Sequence, residues 1–221
     1  MELEKKENRK IKEKIEKSEI MEEIMEEIME DMEKTTEAME SEELRLKRVD
    51  RNLAYTGSIM KIYKDDMQMP DGRIVQWDYF HHKGGAAVIP VLEDGRILMV
   101  RQYRNALDRY TLEIPAGAFD YEGEPGLSCA SRELEEETGY RSDSIHFLLN
   151  MNSMPAFTNE KVSIYVAENL EKSHQHLDEE EFLNVEVWTL DDLLERIYQG
   201  TLTDSKTVCG LLAYRLKCLT E

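Results

Sequence analysis

The segment from Glu124 to Tyr140 constrains the fold of this chain more than any other part of its sequence. It carries glutamates at positions 133, 136 and 137, starts at Pro125 and stops before Gly139. Proline is favoured in the first turn of a helix and glycine just past its end, so the segment predicts one helix of ordinary length. Residues one turn apart share a face, which puts Glu133 and Glu137 side by side.

The apolar positions of this predicted helix are Leu127, Ala130 and Leu134, which form one stripe and predict its buried side. Glu133 and Glu137 then lie along the edge of the stripe. A hard cation such as Mg²⁺ takes oxygen ligands and leaves positions for substrate phosphate oxygens. A solvated acidic helix face explains the same spacing in a chain this rich in glutamate, so the residues alone leave both interpretations open.

The wider segment resembles the signature motif of the Nudix hydrolases, which split nucleoside diphosphates linked to another moiety. The resemblance rests on Gly117, Glu124 and the run Arg132-Glu-Leu-Glu-Glu-Glu-Thr-Gly-Tyr140. Seven residues separate Glu124 from Arg132, as the family pattern requires, whereas six rather than five separate Gly117 from Glu124. The extra residue falls in the loop before the helix, where an insertion is absorbed more readily than within the helix.

Other residues are similar to one branch of that family, the ADP-ribose pyrophosphatases. They are the apolar runs 96–104 and 112–117, and Pro155, fifteen residues past Tyr140. The resemblance implies hydrolysis of ADP-ribose to AMP and ribose 5-phosphate, with Mg²⁺ or Mn²⁺ as cofactor. A hydrolase of another nucleotide sugar or of a dinucleotide, and a non-catalytic domain that senses a nucleotide, are the alternatives.

The resemblance also implies roles for the residues of the motif. The metal ligands are carboxylates of the helix and one backbone carbonyl: Glu133, Glu137, the neighbouring Glu136, and Ala116. The supporting residues orient these acids or shape the loop: Arg132, Glu124 and Gly117. A surface ion pair is the alternative for Arg132. Glu113 is a candidate acid in an outer shell of the site, or an ordinary strand residue.

In ADP-ribose pyrophosphatases an acid on a loop beyond the motif completes the site. Here an acidic run, 178–181, precedes a strand-like segment. Aligned on that segment, Glu181 falls where the family places a catalytic or metal-binding glutamate. Glu179, on the same side of an extended chain, is the second candidate. A hydrated acidic loop is the alternative. His174 and His176 are interpreted as loop residues, because Mg²⁺ does not need imidazole ligands.

Three residues outside the motif are candidates for substrate binding. Arg101 and Arg104 end an apolar run, and similar arginines in the family grip phosphate or the terminal ribose. We favour contact for Arg104, with solvent-exposed charge at a strand end as the alternative. Trp77 is a candidate for stacking on adenine, although core packing explains an aromatic residue equally well.

The composition excludes some partners. A net charge of −19, from 47 acidic and 28 basic residues, disfavours nucleic acid and anionic membranes, whose phosphates require lysine and arginine. No apolar run approaches the ~18 residues of a membrane span, and the N-terminus lacks an apolar signal core. Three cysteines without metal-ligand spacing suit a reducing compartment, so we expect a cytoplasmic protein.

The sequence divides into a charged helical extension (1–43), a β unit expected to form a homodimer (44–82) and a catalytic domain (83–221). In the extension, an Ile-Met pair recurs every four residues, which indicates either a helix that pairs with a partner or a partly frayed, solvated helix. The β unit predicts a hairpin of 54–63 and 73–80 around the turn Met69-Pro-Asp-Gly72.

In the catalytic domain the pattern predicts strands interspersed with helices. The strands are 84–90, 96–103, 111–115, 144–151, 161–167 and 182–189, with a loop at 168–181; the helices after the motif are 190–198 and 205–219. The last helix is expected to bury Val208, Leu211, Leu212 and Leu216. This order, and the resemblance, predict an α/β/α sandwich with a mixed sheet.

Overall fold

The computed structural model describes residues 46–57, 60–177 and 182–220. The predicted helical extension and the acidic run with Glu179 and Glu181 lie outside these residues. The chain divides into two compact units. The larger comprises Leu53–Lys64 and Asp78–Glu221, and the smaller has 46–52 and 65–77 as its described residues.

The first three strands form a sheet in the order β1-β2-β3. They are β1 (Lys47–Thr56), β2 (Lys61–Gln68) and β3 (Ile74–His81). The predicted turn joins β2 to β3: the Gly72 amide donates to the Met69 carbonyl at 2.9 Å, with Gly72 at a φ of 85° that favours glycine. The single β segment predicted over 54–63 is wrong, because β1 ends at Thr56 and the Gly57 amide donates to the Met60 carbonyl at 2.8 Å.

Two further sheets and a short strand pair complete the β-structure. One sheet contains β4 (Gly85–Pro90), β7 (Ala116–Ala118), β9 (Ser144–Asn152) and β10 (Lys161–Glu168) in the order β7-β4-β10-β9. The other contains β5 (Ile97–Arg104), β6 (Arg109–Glu113) and β12 (Leu183–Trp188) in the order β12-β5-β6. β8 (Tyr140–Arg141) pairs with β11 (Glu171–Lys172). Because β4 and β10 are parallel and β10 and β9 antiparallel, the first of these sheets is mixed.

Helices lie on both sides of β4. They are α1 (Gly126–Thr138), α2 (Leu190–Tyr198) and α3 (Ser205–Thr220). All six residues of β4 are buried, and they alternate between two cores: Ile89 packs with Leu193 of α2 and Leu211 of α3, and Val88 with Leu134 of α1. The predicted α/β/α sandwich with a mixed sheet is confirmed. None of the helices among the described residues is long and apolar enough to span a membrane.

Two predicted core positions are wrong. Leu127 of α1 is 48 % exposed, because the buried face of this helix is rotated to include Cys129 and Glu133. Leu216 of α3 is 65 % exposed, because the last turns of α3 extend past the core that buries Leu211. The loop predicted at 168–181 also contains β11, which at two residues is too short to produce a sequence pattern.

Candidate active site

Two buried carboxylates of α1 face the backbone of β7. Glu137 is 2 % exposed, and its Oε2 accepts a hydrogen bond of 2.9 Å from the Ala116 amide. Glu133 is 7 % exposed, and its Oε1 lies 1.9 Å from the position that a Cβ would occupy on Gly117. Glycine at 117 therefore lets the Glu133 carboxylate reach β7.

The end of α1 is fixed by hydrogen bonds to its last carbonyl groups. Gly139 lies in the left-handed region at a φ of 70°, and its amide donates to the Glu135 carbonyl at 2.9 Å. The His176 amide donates to the Glu136 carbonyl at 3.0 Å, and the Gln175 side-chain amide to the Glu137 carbonyl at 2.6 Å. The turn that carries Glu136 and Glu137 is thus held by the segment 173–176.

Arg132 gathers the acids of the motif around one cation. Its Nη1 donates to Glu133 Oε1 at 2.7 Å and to Glu136 Oε2 at 3.0 Å. Burial lowers the pKa of Arg132, but the charge of Glu133 and the hydrogen bond to Glu136 outweigh it and raise the pKa above its usual range. The Nε atom of Arg132 is buried. It lies 3.3 Å from Asp120 Oδ2, but the two atoms are not aligned for a hydrogen bond.

The loop with the extra residue still brings Glu124 to the motif. Glu124 is 8 % exposed, and its Oε2 accepts a hydrogen bond of 2.8 Å from the Asp120 amide. The same oxygen lies 3.6 Å from Nη2 of Arg132. The insertion between Gly117 and Glu124 therefore changes the length of the loop without separating Glu124 from Arg132.

Arg104 of β5 is paired with Glu113 of β6. Arg104 Nε and Nη2 donate to the two carboxylate oxygens at 2.8 and 2.6 Å. Burial raises the pKa of Glu113, but the hydrogen bond from Arg104 and the charge of Lys206 outweigh it and lower the pKa to about 2. The pKa of Arg104 is raised, chiefly by its hydrogen bond to Glu113, and the charge of Glu137 contributes. Arg104 therefore lies within electrostatic reach of Glu137 of α1.

Arg101 points to the other face of the sheet, because it lies three positions before Arg104 on the same strand. Its Nε and Nη2 donate to Glu186 of β12, which also accepts a hydrogen bond of 2.9 Å from Trp188 Nε1. The structure thus places Arg101 in an ion pair away from the acids of the motif. Trp77 lies on β3 of the smaller unit and is 45 % exposed.

The donor atoms suit a hard divalent cation, because Glu133, Glu136 and Glu137 supply carboxylate oxygens within little more than one helical turn. Among residues 46–57, 60–177 and 182–220, no three His, Cys, Asp or Glu side chains are grouped so that they could hold a metal ion. In the structure Glu133 and Glu136 instead share the guanidinium of Arg132. A metal would therefore have to compete with this cation.

An open cleft of about 620 Å³ runs along the exposed side of α1. Arg132, Glu136 and His176 are among its lining residues. Three members of the motif, Arg132, Glu135 and Glu136, thus border a space that a small ligand can enter.

Sequence reasoning missed the residues that join the start of α3 to β6. Lys206 Nζ lies 2.5 Å from Glu113 Oε2, and Thr207 Oγ1 accepts a hydrogen bond of 3.0 Å from the Ile114 amide. Both contacts span 93 positions of the chain. Asp204, whose side chain accepts a hydrogen bond from the Thr207 amide, is a local signal for the start of the helix, but nothing local identifies the partner strand.

Comparison with known proteins places the chain in a family. The family model of the NUDIX domain matches residues 81–208 of the sequence. The methanol dehydrogenase activator of Bacillus methanolicus is 35 % identical over 173 residues, which cover 77 % of this chain and 93 % of that protein. The ADP-ribose pyrophosphatase of Bacillus subtilis (strain 168) is 33 % identical over 178 residues, which cover 80 % of this chain and 96 % of that protein.

The fold is found in solved structures as well. A crystal structure of an ADP compounds hydrolase superposes with a TM-score of 0.69 at 22 % identity, and the match covers 77 % of this chain and 92 % of the other. The chain therefore belongs to the Nudix family, within the ADP-ribose pyrophosphatase-like branch of the Nudix pyrophosphohydrolases.

Proposed function

We propose that this chain is a metal-dependent hydrolase that cleaves the pyrophosphate of ADP-ribose to AMP and ribose 5-phosphate. The packing of Glu133 and Glu137 against β7 carries the proposal, because it holds two carboxylates beside the backbone of one strand. One of them, Glu133, is also paired with Arg132. The identity of 33 % to the ADP-ribose pyrophosphatase of Bacillus subtilis supports the substrate.

The proposed ligands of the metal are Glu133 and Glu137, with Glu136 close by and the carbonyl oxygen of Ala116. Mg²⁺ is the proposed ion, and Mn²⁺ the substitute, since both accept carboxylate and carbonyl oxygens. When bound, the ion neutralises charge on phosphate oxygens and lowers the pKa of a water. Arg132 orients the acids, and Gly117 and Glu124 support the loop and strand around them.

The proposed catalytic acids are Glu181, with Glu179 as the second candidate, and Glu136. Glu136 borders the open cleft on α1. For Glu181 and Glu179 the support is their position in the sequence just before β12, which begins at Leu183. Their task is to take the proton of the attacking water, for which a carboxylate within hydrogen-bond reach is required.

We propose Arg104 as the residue that binds phosphate or the terminal ribose of the substrate. Its guanidinium is held by Glu113, the charge of Glu137 contributes to its raised pKa, and the Arg104 side chain is 42 % exposed. The ion pair of Arg101 with Glu186, on the other face of the sheet, supports no such contact. Stacking of Trp77 on adenine is proposed on its exposure alone.

Homodimerisation through the first three strands is a further part of the proposal. In the smaller unit Val49, Ile74 and Trp77 are 45–53 % exposed, and exposed apolar side chains on one sheet favour association. Light scattering behind a sizing column tests this. A monomer mass at micromolar concentration contradicts it. A reducing, cytoplasmic location is proposed because all three cysteines are free.

Rates measured side by side on ADP-ribose, GDP-mannose and NADH, with Mg²⁺, test the substrate. The proposal expects ADP-ribose to have the highest kcat/KM, and a higher value for either of the others favours a different nucleotide sugar or a dinucleotide. The relative named as an activator of methanol dehydrogenase favours the second candidate function, a domain that senses a nucleotide. Tight ADP-ribose binding in calorimetry without product formation would support that candidate.

A further inference from the structure

One buried carboxylate outside the motif holds two cations. Glu113 is 1 % exposed and is contacted by Arg104 of β5 and Lys206 of α3. Its Oε1 also accepts a hydrogen bond of 2.6 Å from the Thr111 hydroxyl. We call the four residues Arg104, Thr111, Glu113 and Lys206 the Glu113 cluster.

The cluster is anchored to the start of α3. Asp204 Oδ2 accepts hydrogen bonds from the Thr207 amide at 3.1 Å and from Lys206 Nζ at 3.0 Å. Thr207 is fully buried, and its hydroxyl accepts the Ile114 amide next to Glu113. The position of the Glu113 carboxylate is thus set by both β6 and α3, so a residue bound to it is held by a rigid support.

Arg104 is the residue that this support holds in place. Its Nε and Nη2 are both used by Glu113, in the bidentate arrangement that defines the plane of a guanidinium. This leaves Nη1 for another partner, on a side chain that is 42 % exposed. Lys206 is shared between Glu113 and Asp204, so Arg104 and Lys206 together balance these two carboxylates. The role inferred for Arg104 beyond this charge balance rests on its bidentate geometry and its partial exposure.

We propose that Glu113 is a positioning residue: by accepting hydrogen bonds from Nε and Nη2 along one edge of Arg104, it orients the guanidinium that binds the diphosphate of the substrate. The inference rests on the proposed function, because it takes Arg104 as the group that binds the anion. It adds that the affinity for the substrate depends on a residue that does not itself contact the substrate.

A double-mutant cycle of Glu113→Gln and Arg104→Gln tests the inference, with steady-state kinetics on ADP-ribose at saturating Mg²⁺. We expect Glu113→Gln to raise KM about tenfold and to change kcat by less than about threefold. The reason is that the variant loses the same binding energy for the bound substrate and for the transition state. In the Arg104→Gln background the same change should alter KM by less than about twofold, since Glu113 then has no guanidinium to orient.

The matched control is Glu186→Gln, which removes the acid from a second bidentate arginine pair on the same strand, on the other face of the sheet. Its KM should stay within about twofold of wild type. If Glu113→Gln fails to fold, Glu113→Asp replaces it, because aspartate keeps the charge and withdraws the carboxylate by one methylene. The same increase in KM is then expected for Glu113→Asp when Arg104 is present, and no such increase in the Arg104→Gln background.

Independent effects of the two substitutions, so that their changes in KM multiply, would overturn the inference, as would an unchanged KM in Glu113→Gln or Glu113→Asp. Wild-type turnover of ADP-ribose, measured in the same series, is a separate result that tests the proposed function. The inference is decided by the non-additivity between variants, and the function by the wild type alone.

Discussion

The carboxylate of Glu137 is tied to the backbone amide of Ala116 by a hydrogen bond of 2.9 Å. This contact joins the last turn of α1 to β7 at a buried position. Any change in the strand is therefore transmitted to the acid, and the acid cannot rotate away without losing the bond.

Gly117→Ala should affect activity more than stability. The three atoms nearest to the added Cβ all belong to the Glu133 carboxylate, with Oε1 at 1.9 Å, so we expect this carboxylate to move. A displacement of about an ångström in a catalytic group costs on the order of 100-fold in rate. We expect such a loss in kcat, with a melting temperature within a few degrees of wild type, as measured by kinetics and thermal unfolding.

The control for that substitution is Gly95→Ala. A Cβ at Gly95 meets nothing within 4 Å, and its φ of 80° costs about 1 kcal/mol for alanine. It should therefore lower stability and leave kcat unchanged. Wild-type kcat in Gly117→Ala would show that Glu133 does not need to reach β7.

The stability contributed by Glu113 should disappear in acid. Its pKa is lowered from 4.5 to about 2 in the folded protein, so its contribution is fully present above the unfolded value of 4.5 and is lost as the pH falls from there through about 2. A shift of this size corresponds to about 3 kcal/mol. Urea unfolding from pH 7 to pH 2 should show a deficit in Glu113→Gln that shrinks across this window. A deficit independent of pH contradicts the prediction.

Cys129 should be inert towards thiol reagents in the folded protein. It is fully buried, and burial together with the charge of Glu133 raises the pKa of its thiol to about 12. Cys209 and Cys218 are exposed. A disulfide reagent at pH 8 should therefore label two thiols quickly and the third only on unfolding. Cys129→Ala should abolish the slow phase, and three fast thiols in the wild type would contradict the packing of α1.

Arg132→Lys should lower kcat about tenfold, because one ammonium group cannot reproduce the contacts that the guanidinium makes with Glu133 and Glu136. We also expect a loss of about 1–2 kcal/mol in the free energy of unfolding, from the hydrogen bonds to charged groups. Arg141→Lys is the control, since its ion pair with Glu171 is mostly exposed and should be nearly neutral. Equal kcat values for Arg132→Lys and Arg141→Lys would show that Arg132 has no role in the active site.

Local sequence patterns predicted the parts of the structure that local physics determines. Helix α1 was predicted between Pro125 and Gly139, and its observed span is Gly126–Thr138, because a proline start and a glycine stop act within one turn. The turn at Gly72 was predicted for the same kind of reason. The prediction that Leu127 is buried is wrong, because apolar spacing alone does not reveal that acids occupy part of the buried face.

The ion pairs around the site could not be predicted in the same way. Arg104 and Glu113 are nine positions apart on neighbouring strands, and Lys206 reaches Glu113 across 93 positions. Their partners depend on strand register and on where α3 docks, which no single segment encodes. The residues of the motif were found through a resemblance, whereas their coupling to β7 required the structure.

The kcat of Glu137→Gln on ADP-ribose at saturating Mg²⁺ tests the central claim most directly. Glutamine still offers an oxygen to the Ala116 amide but lacks the charge that a metal ligand needs. Glu135→Gln, on the same helix, is the control. We predict that Glu137→Gln loses on the order of 100-fold or more in kcat with its fold intact, and that Glu135→Gln remains within about threefold of wild type. Near-normal turnover by Glu137→Gln would contradict the claim.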